Sequence, residues 1–157
     1  MKNLRTSVLC SCIILCGFYA GAQNTGNVPV NEPNYNKPKL FQGQPDLIQL
    51  STENLNNLFT KQVGQPVRVQ QAGISFQFDG EIISTVSKYN NSLQSVVVRS
   101  TNFNGARLTI SKLTDENGNT LYRGRIISLQ HGDLYELQNN NGSYELVKRN
   151  FYDLVNE

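Results

Sequence analysis

The single histidine, His131, stands two residues before Asp133, with Gly132 between them. An imidazole oriented by a carboxylate is the base half of a nucleophilic hydrolase, and a serine elsewhere in the chain would complete it. No G-x-S-x-G turn is present to expose such a serine. A turn between two strands accounts for His131-Gly132-Asp133 without any chemistry, its polar side chains facing water, and that reading is adopted.

Arg99, Arg107, Arg123 and Arg125 suggest a different chemistry. They fall in segments of alternating polarity, and Arg123 and Arg125 share one face by the two-residue period of a strand. Guanidinium groups offer planar paired donors, so a cluster of them suits a carboxylate or another anion. The preferred reading is nonetheless a solvated sheet face balanced by Asp133, Glu136 and Glu145. These four arginines, with His131 and Asp133, are the candidate binding residues.

Asp115-Glu116-Asn117-Gly118-Asn119 places oxygen-bearing side chains at the first, third and fifth positions, as a calcium loop does. Its glycine falls fourth instead of sixth, and Ile126 occupies the twelfth position where a bidentate glutamate belongs. A hairpin turn explains it better. Zinc would have to rely on carboxylates, since there is one histidine and the cysteines lie only at positions 10, 12 and 16. No phosphate-binding loop or dinucleotide fingerprint occurs. No metal and no cofactor are expected.

Residues 1–22 have the pattern of a secretory signal peptide. Lys2 and Arg5 precede an apolar run from Val8 to Tyr19, and Ala20-Gly21-Ala22 offers small residues for cleavage. The run is too short to cross ~30 Å of hydrocarbon, so no membrane span is expected to remain. Lipidation at Cys16 or Cys12 is disfavoured, because Leu15 precedes the first and the apolar stretch before the second is short. Cleavage removes two of the 14 basic residues and leaves 12 against 12 acidic ones. A neutral exported chain has no general nucleic-acid footprint. A mean hydropathy of −0.40 excludes a polytopic membrane protein. The destination expected is periplasmic, cell-surface or secreted, in a bacterium.

Residues 23–45 hold Pro29, Pro33, Pro38 and Pro45 and few apolar side chains, as a linker or extended arm does. Tyr35, Leu40 and Phe41 are suited to docking, but a flexible tether is the preferred reading. The domain is placed at residues 46–157. Its one helix is expected over residues 51–61, capped by Ser51, with Leu55, Leu58 and Phe59 on one stripe.

After Pro66 the period changes to two. Val67 and Val69, then Ile74, Phe76 and Phe78, then Ile82, Ser84 and Val86, each define one face of a strand. Turns are expected at residues 71–73, Asp79-Gly80, Asn90-Asn91, Asn104-Gly105, Asn117-Gly118, His131-Gly132 and Asn140-Asn141-Gly142. A turn with Gly118 left-handed pairs Leu113 with Leu121, Ser111 with Arg123 and Leu108 with Ile126. The tighter alternative would oppose Lys112 to Arg123, which like charges disfavour. The hairpin from Asp133 to Arg149 leaves its register open, and residues 150–155 are expected to pack back as a short helix or last strand.

The fold class that follows is mainly β (α+β): an antiparallel meander or small curved barrel-like sheet with one N-terminal helix packed on it. The function expected is an exported, non-catalytic module that binds a protein or peptide, with an inhibitor or prodomain-like role as one version. Its rivals are a small hydrolase using His131 and Asp133 and a structural cell-envelope protein. A sheet edge is also a candidate contact for a homo-oligomer.

Overall fold

Period-two alternation produces strands, and short turns leave each strand beside the next. A computed structural model describes residues 36–154. The signal peptide expected over residues 1–22, with its cysteines, lies outside them. The described residues belong to one compact unit. Its elements are β1 (Leu47–Leu50), α1 (Thr52–Phe59), β2 (Pro66–Gln70), β3 (Gln77–Lys88), β4 (Leu93–Ser100), β5 (Arg107–Thr114), β6 (Thr120–Ile127), β7 (Asp133–Asn140) and β8 (Ser143–Asn150), followed by a 3-10 turn over Phe151–Leu154. The strands form one antiparallel sheet in the order β1-β8-β7-β6-β5-β4-β3-β2. It curls into a half-barrel. The expected fold class is the observed one.

The Gly118 hairpin has the expected register: Leu113 faces Leu121, Ser111 faces Arg123 and Leu108 faces Ile126. Gly118 has φ +82°, and Asp115 Oδ1 accepts from the main-chain N–H groups of Asn117 and Asn119. The register left open between β7 and β8 is closed by a two-residue turn, Asn141-Gly142, with φ +52° and +89°. Positive φ at both central residues matches the right-handed twist of the strands.

Other expectations are corrected. The turn placed at Asp79-Gly80 is continuous strand inside β3. Glycine stands there because a Cβ at position 80 would come within 2.6 Å of the Arg99 carbonyl oxygen. Ile74 precedes β3 instead of lying in it. Ile82, Ser84 and Val86 do not share a face. The ladder slips between Ile82, opposite Val98, and Ser84, opposite Val97, so Ile83 is an extra residue and the phase reverses. Val86 is left 45% exposed. β1, which the residue pattern did not single out, pairs with β8.

The concave face carries the core, including Ile48, Phe78, Val98, Ile110, Ile126 and Leu146. Helix α1 lies on it through Leu55 and Leu58. Ser51 caps the helix, its hydroxyl accepting from Asn54 N at 3.1 Å. A helix of 8 residues is too short to hold itself, and Asn56 anchors it. Asn56 Oδ1 accepts from the Tyr122 hydroxyl at 2.5 Å and from Lys112 Nζ at 3.1 Å.

The segment placed outside the domain is packed against it from Lys37 onward. Phe41 is fully buried, 4.8 Å from the Tyr135 ring and 5.2 Å from Phe103 between centroids. Gly132 N donates to the Pro38 carbonyl and Lys37 Nζ to the Leu129 carbonyl. Residues 37–45 therefore form a strap across the end of the half-barrel. The boundary expected at residue 46 falls inside the packed body.

Candidate functional site

The strap explains Asp133. Its carboxylate, 2% exposed, accepts from Leu40 N at 2.7 Å and Phe41 N at 2.9 Å. The expectation that it faces water is corrected: it satisfies two main-chain donors that the strap brings out of solvent. It is spent on the fold and lies on the face opposite the arginines. His131 is half-buried on the turn before it. His131 Nδ1 lies 2.8 Å from Ser128 Oγ, and His131 N donates to the Ser128 carbonyl. Ser128 itself is 1% exposed. A serine is thus within reach of the imidazole, but it is shut away from solvent and the carboxylate points elsewhere. Ser128, His131 and Asp133 do not form a relay.

The arginines are brought together. All four lie on the outer face of the sheet, and all four are exposed. Glu81, Arg99, Arg107 and Ile127 stand opposite one another in one row across β3–β6. Val97, Thr109, Arg125 and Glu136 form the next row. Ser95, Ser111 and Arg123 form the one after. Arg99 pairs with Glu81 at 3.4 Å. Among the described residues, Arg107, Arg123 and Arg125 make no ion pair. Glu136 stands opposite Arg125 but accepts from Gln138 Nε2 at 3.2 Å. The balancing role expected of Asp133 is not available, since that group is buried on the other side.

Beside Arg123 and Arg125 the sheet opens. β6 and β7 pair only from Gly124, opposite Leu137, to Ile127, opposite Leu134. Below that point both strands continue, residues 120–123 on β6 and 138–140 on β7, without pairing across. A cleft of about 760 Å³ lies there, lined by Thr109, Ser111, Leu121, Arg123, Arg125 and Gln138 among others. At its base the Tyr144 hydroxyl accepts from Tyr122 N at 3.2 Å and from Asn139 Nδ2 at 3.3 Å. One side chain thus bridges what the ladder leaves apart. Burial pushes the Tyr122 hydroxyl above its ordinary range, with a smaller contribution from Tyr144.

The cleft was not read from the residues. Leu121, Gln138, Asn139 and Tyr144 belong to it, yet each looks like an ordinary strand or turn residue. The usable signal was the open register of the β7–β8 hairpin, whose length decides how far β7 runs past its pairing with β6.

The two true edges of the sheet are blunted. Gln49 N on β1 donates to Gln71 Oε1 at 2.6 Å. β2 carries Pro66, which has no N–H, and Arg68, paired with Asp79 at 2.7 Å. Among the described residues no group of three or more histidine, cysteine, aspartate or glutamate side chains is placed to hold a metal ion, and no helix is long and apolar enough to cross a membrane. Comparison of the chain with protein-family models, with curated proteins and with solved structures finds no match.

Proposed function

We propose that this chain is an exported interaction module that recognises a protein partner through the outer face of β4–β7. The observation that carries the reading is the state of Arg107, Arg123 and Arg125: exposed, clustered on one face and without an acidic partner among the described residues. Charged groups that a fold leaves unpaired on a bare sheet are available to steer and orient a partner of opposite sign. Export is supported by the pattern of residues 1–22, with its basic start, apolar run and small residues.

The test immobilises residues 23–157 and passes over them the envelope and secreted proteins of the source cells. A parallel column carries a variant with Arg107, Arg123 and Arg125 each changed to Glu. A partner held by the first column and lost from the second is the expected result. An unchanged set of retained proteins, with both chains folded by circular dichroism, overturns the reading.

A further inference from the structure

The opening between β6 and β7 is unusual because it lies inside the sheet. A strand edge normally offers main-chain donors and acceptors on one side only. Here two half-edges face each other. Tyr122 N is directed across the opening, where it donates to the Tyr144 hydroxyl at 3.2 Å, a side-chain contact that an entering strand replaces with a main-chain one. By the alternation of an antiparallel ladder, the main-chain groups of Thr120 point the same way. From the other side, Asn139 follows Leu137, which pairs with Gly124. Among the described residues, the N–H and C=O groups of Thr120 and Asn139 make no main-chain hydrogen bond outside the strand ladders, and β6 and β7 do not pair at these positions.

Resting on the interaction reading above, we propose that this opening accepts an extended acidic peptide segment, inserted as a short strand between β6 and β7. Strand addition supplies main-chain hydrogen bonds, and side-chain contacts supply selectivity. The unpaired stretch of β6, four residues over 120–123, holds a segment about 13 Å long at ~3.3 Å per residue. Alternate side chains of that segment stand on the outer face, level with Leu121 and Arg123, while Arg125 reaches the same cleft from the adjoining paired stretch. Both guanidinium groups are exposed and unpaired, so a carboxylate entering the cleft meets planar donors from Arg123 beside it and from Arg125 at its closed end. An acidic polysaccharide would meet the same arginines but has no main-chain register to match.

The experiment uses a fluorescein-labelled peptide, Glu-Val-Glu-Val-Glu, blocked at both ends, and the mature chain. Binding is followed by anisotropy at low salt. Three comparison ligands are the Gln-Val-Gln-Val-Gln peptide, the acidic peptide N-methylated at both valines, and a uronic-acid oligosaccharide. The acidic peptide is expected to bind, and each of the first two changes to weaken it at least fivefold. Arg123→Ala and Arg125→Ala are each expected to weaken it by up to about fivefold, the size of a solvent-exposed ion pair. Binding is also expected to slow amide hydrogen exchange at Thr120 and Asn139. Equal binding by the glutamine peptide removes the charge component, and equal binding by the methylated peptide removes strand insertion. Tighter binding by the oligosaccharide, with no protection at Thr120 or Asn139, assigns the arginines to another ligand. No binding of the acidic peptide overturns the insertion site. If column retention still depends on the arginines in that case, the interaction module stands without it.

Discussion

The two faces of the half-barrel treat their polar groups in opposite ways. On the concave side, buried polarity is spent. Asp133 closes on the N–H groups of Leu40 and Phe41, Asn56 takes the Tyr122 hydroxyl and the Lys112 amine, and the Tyr135 hydroxyl donates to the Pro45 carbonyl at 2.5 Å. One buried side-chain atom among the described residues, Gln44 Oε1, lacks a partner. On the outer side, Arg107, Arg123 and Arg125 are left unpaired, and a seam in the sheet stays open beside two of them. Burial forces satisfaction, because a lone buried donor is expensive. Exposure imposes no such demand, so what the outer face leaves unmatched is free to serve recognition. Concave substitutions should therefore move stability, and outer ones should move binding.

The strap gives the severest test of the concave half. Phe41→Ala removes a fully buried ring from an aromatic cluster that includes Phe103 and Tyr135. The expected loss is about 3–5 kcal/mol by urea denaturation. A loss below about 1 kcal/mol would mean that residues 37–45 are a tether after all. Asp133→Ala ranks next, at about 2–4 kcal/mol, because it strands the buried N–H of Phe41 and the part-buried N–H of Leu40. Its effect should be strongly non-additive with that of Phe41→Ala, since both release the same segment.

The pH profile has two limbs of opposite sign. Burial raises the Tyr135 hydroxyl far above its ordinary range, with smaller contributions from Asp46 and Asp133, and it raises Tyr122 as well. The folded state favours the neutral hydroxyl, so this stability is complete below the unfolded value of about 10 and is lost as pH rises past it. Three carboxylates are shifted the other way. Asp46 is held down by Lys148, Asp79 by Arg68 and then Gln77, and Asp115 by Asn119. Their contribution is present above about pH 4 and fades as pH falls below it. Thermal melts from pH 2 to 11 should show both limbs. Tyr135→Phe should flatten the alkaline limb alone, and Asp115→Asn the acid limb alone.

How much of this was legible depended on distance along the chain. The β5–β6 register could be read because Gly118 and the charges of Lys112 and Arg123 settle it within one hairpin. The capped helix was legible from Ser51, Leu55 and Leu58, which are again local. The strap was not, because Asp133 meets Leu40 across 93 positions and nothing near either residue announces the other. The bulge at Ile83 was hidden because isoleucine suits either face of a strand, so the apparent alternation carried no sign of the slip. The arginine cluster was half legible. Its members were named from type and period, but their shared face followed from the sheet order, and the opening beside them followed from how far two ladders happen to run.

The smallest expected effect is also the sharpest check on the outer half. Arg99 and Arg107 stand directly opposite each other on β4 and β5. Like charges so placed oppose the pairing by roughly 0.2–1 kcal/mol. Arg99 is partly relieved by Glu81, whereas Arg107 has no such partner among the described residues. Threonine suits an exposed strand position, so Arg107→Thr should leave stability unchanged or raise it by up to about 0.5 kcal/mol. Arg99→Thr should gain less, because it also gives up the contact with Glu81. If the partner that the arginine face retains is lost while the melting temperature holds or rises, Arg107 is kept for recognition at a small cost to the fold. A stability loss above about 1 kcal/mol on Arg107→Thr would show that its aliphatic stem packs on the sheet, and the division between spent and free polarity would then fail at its centre.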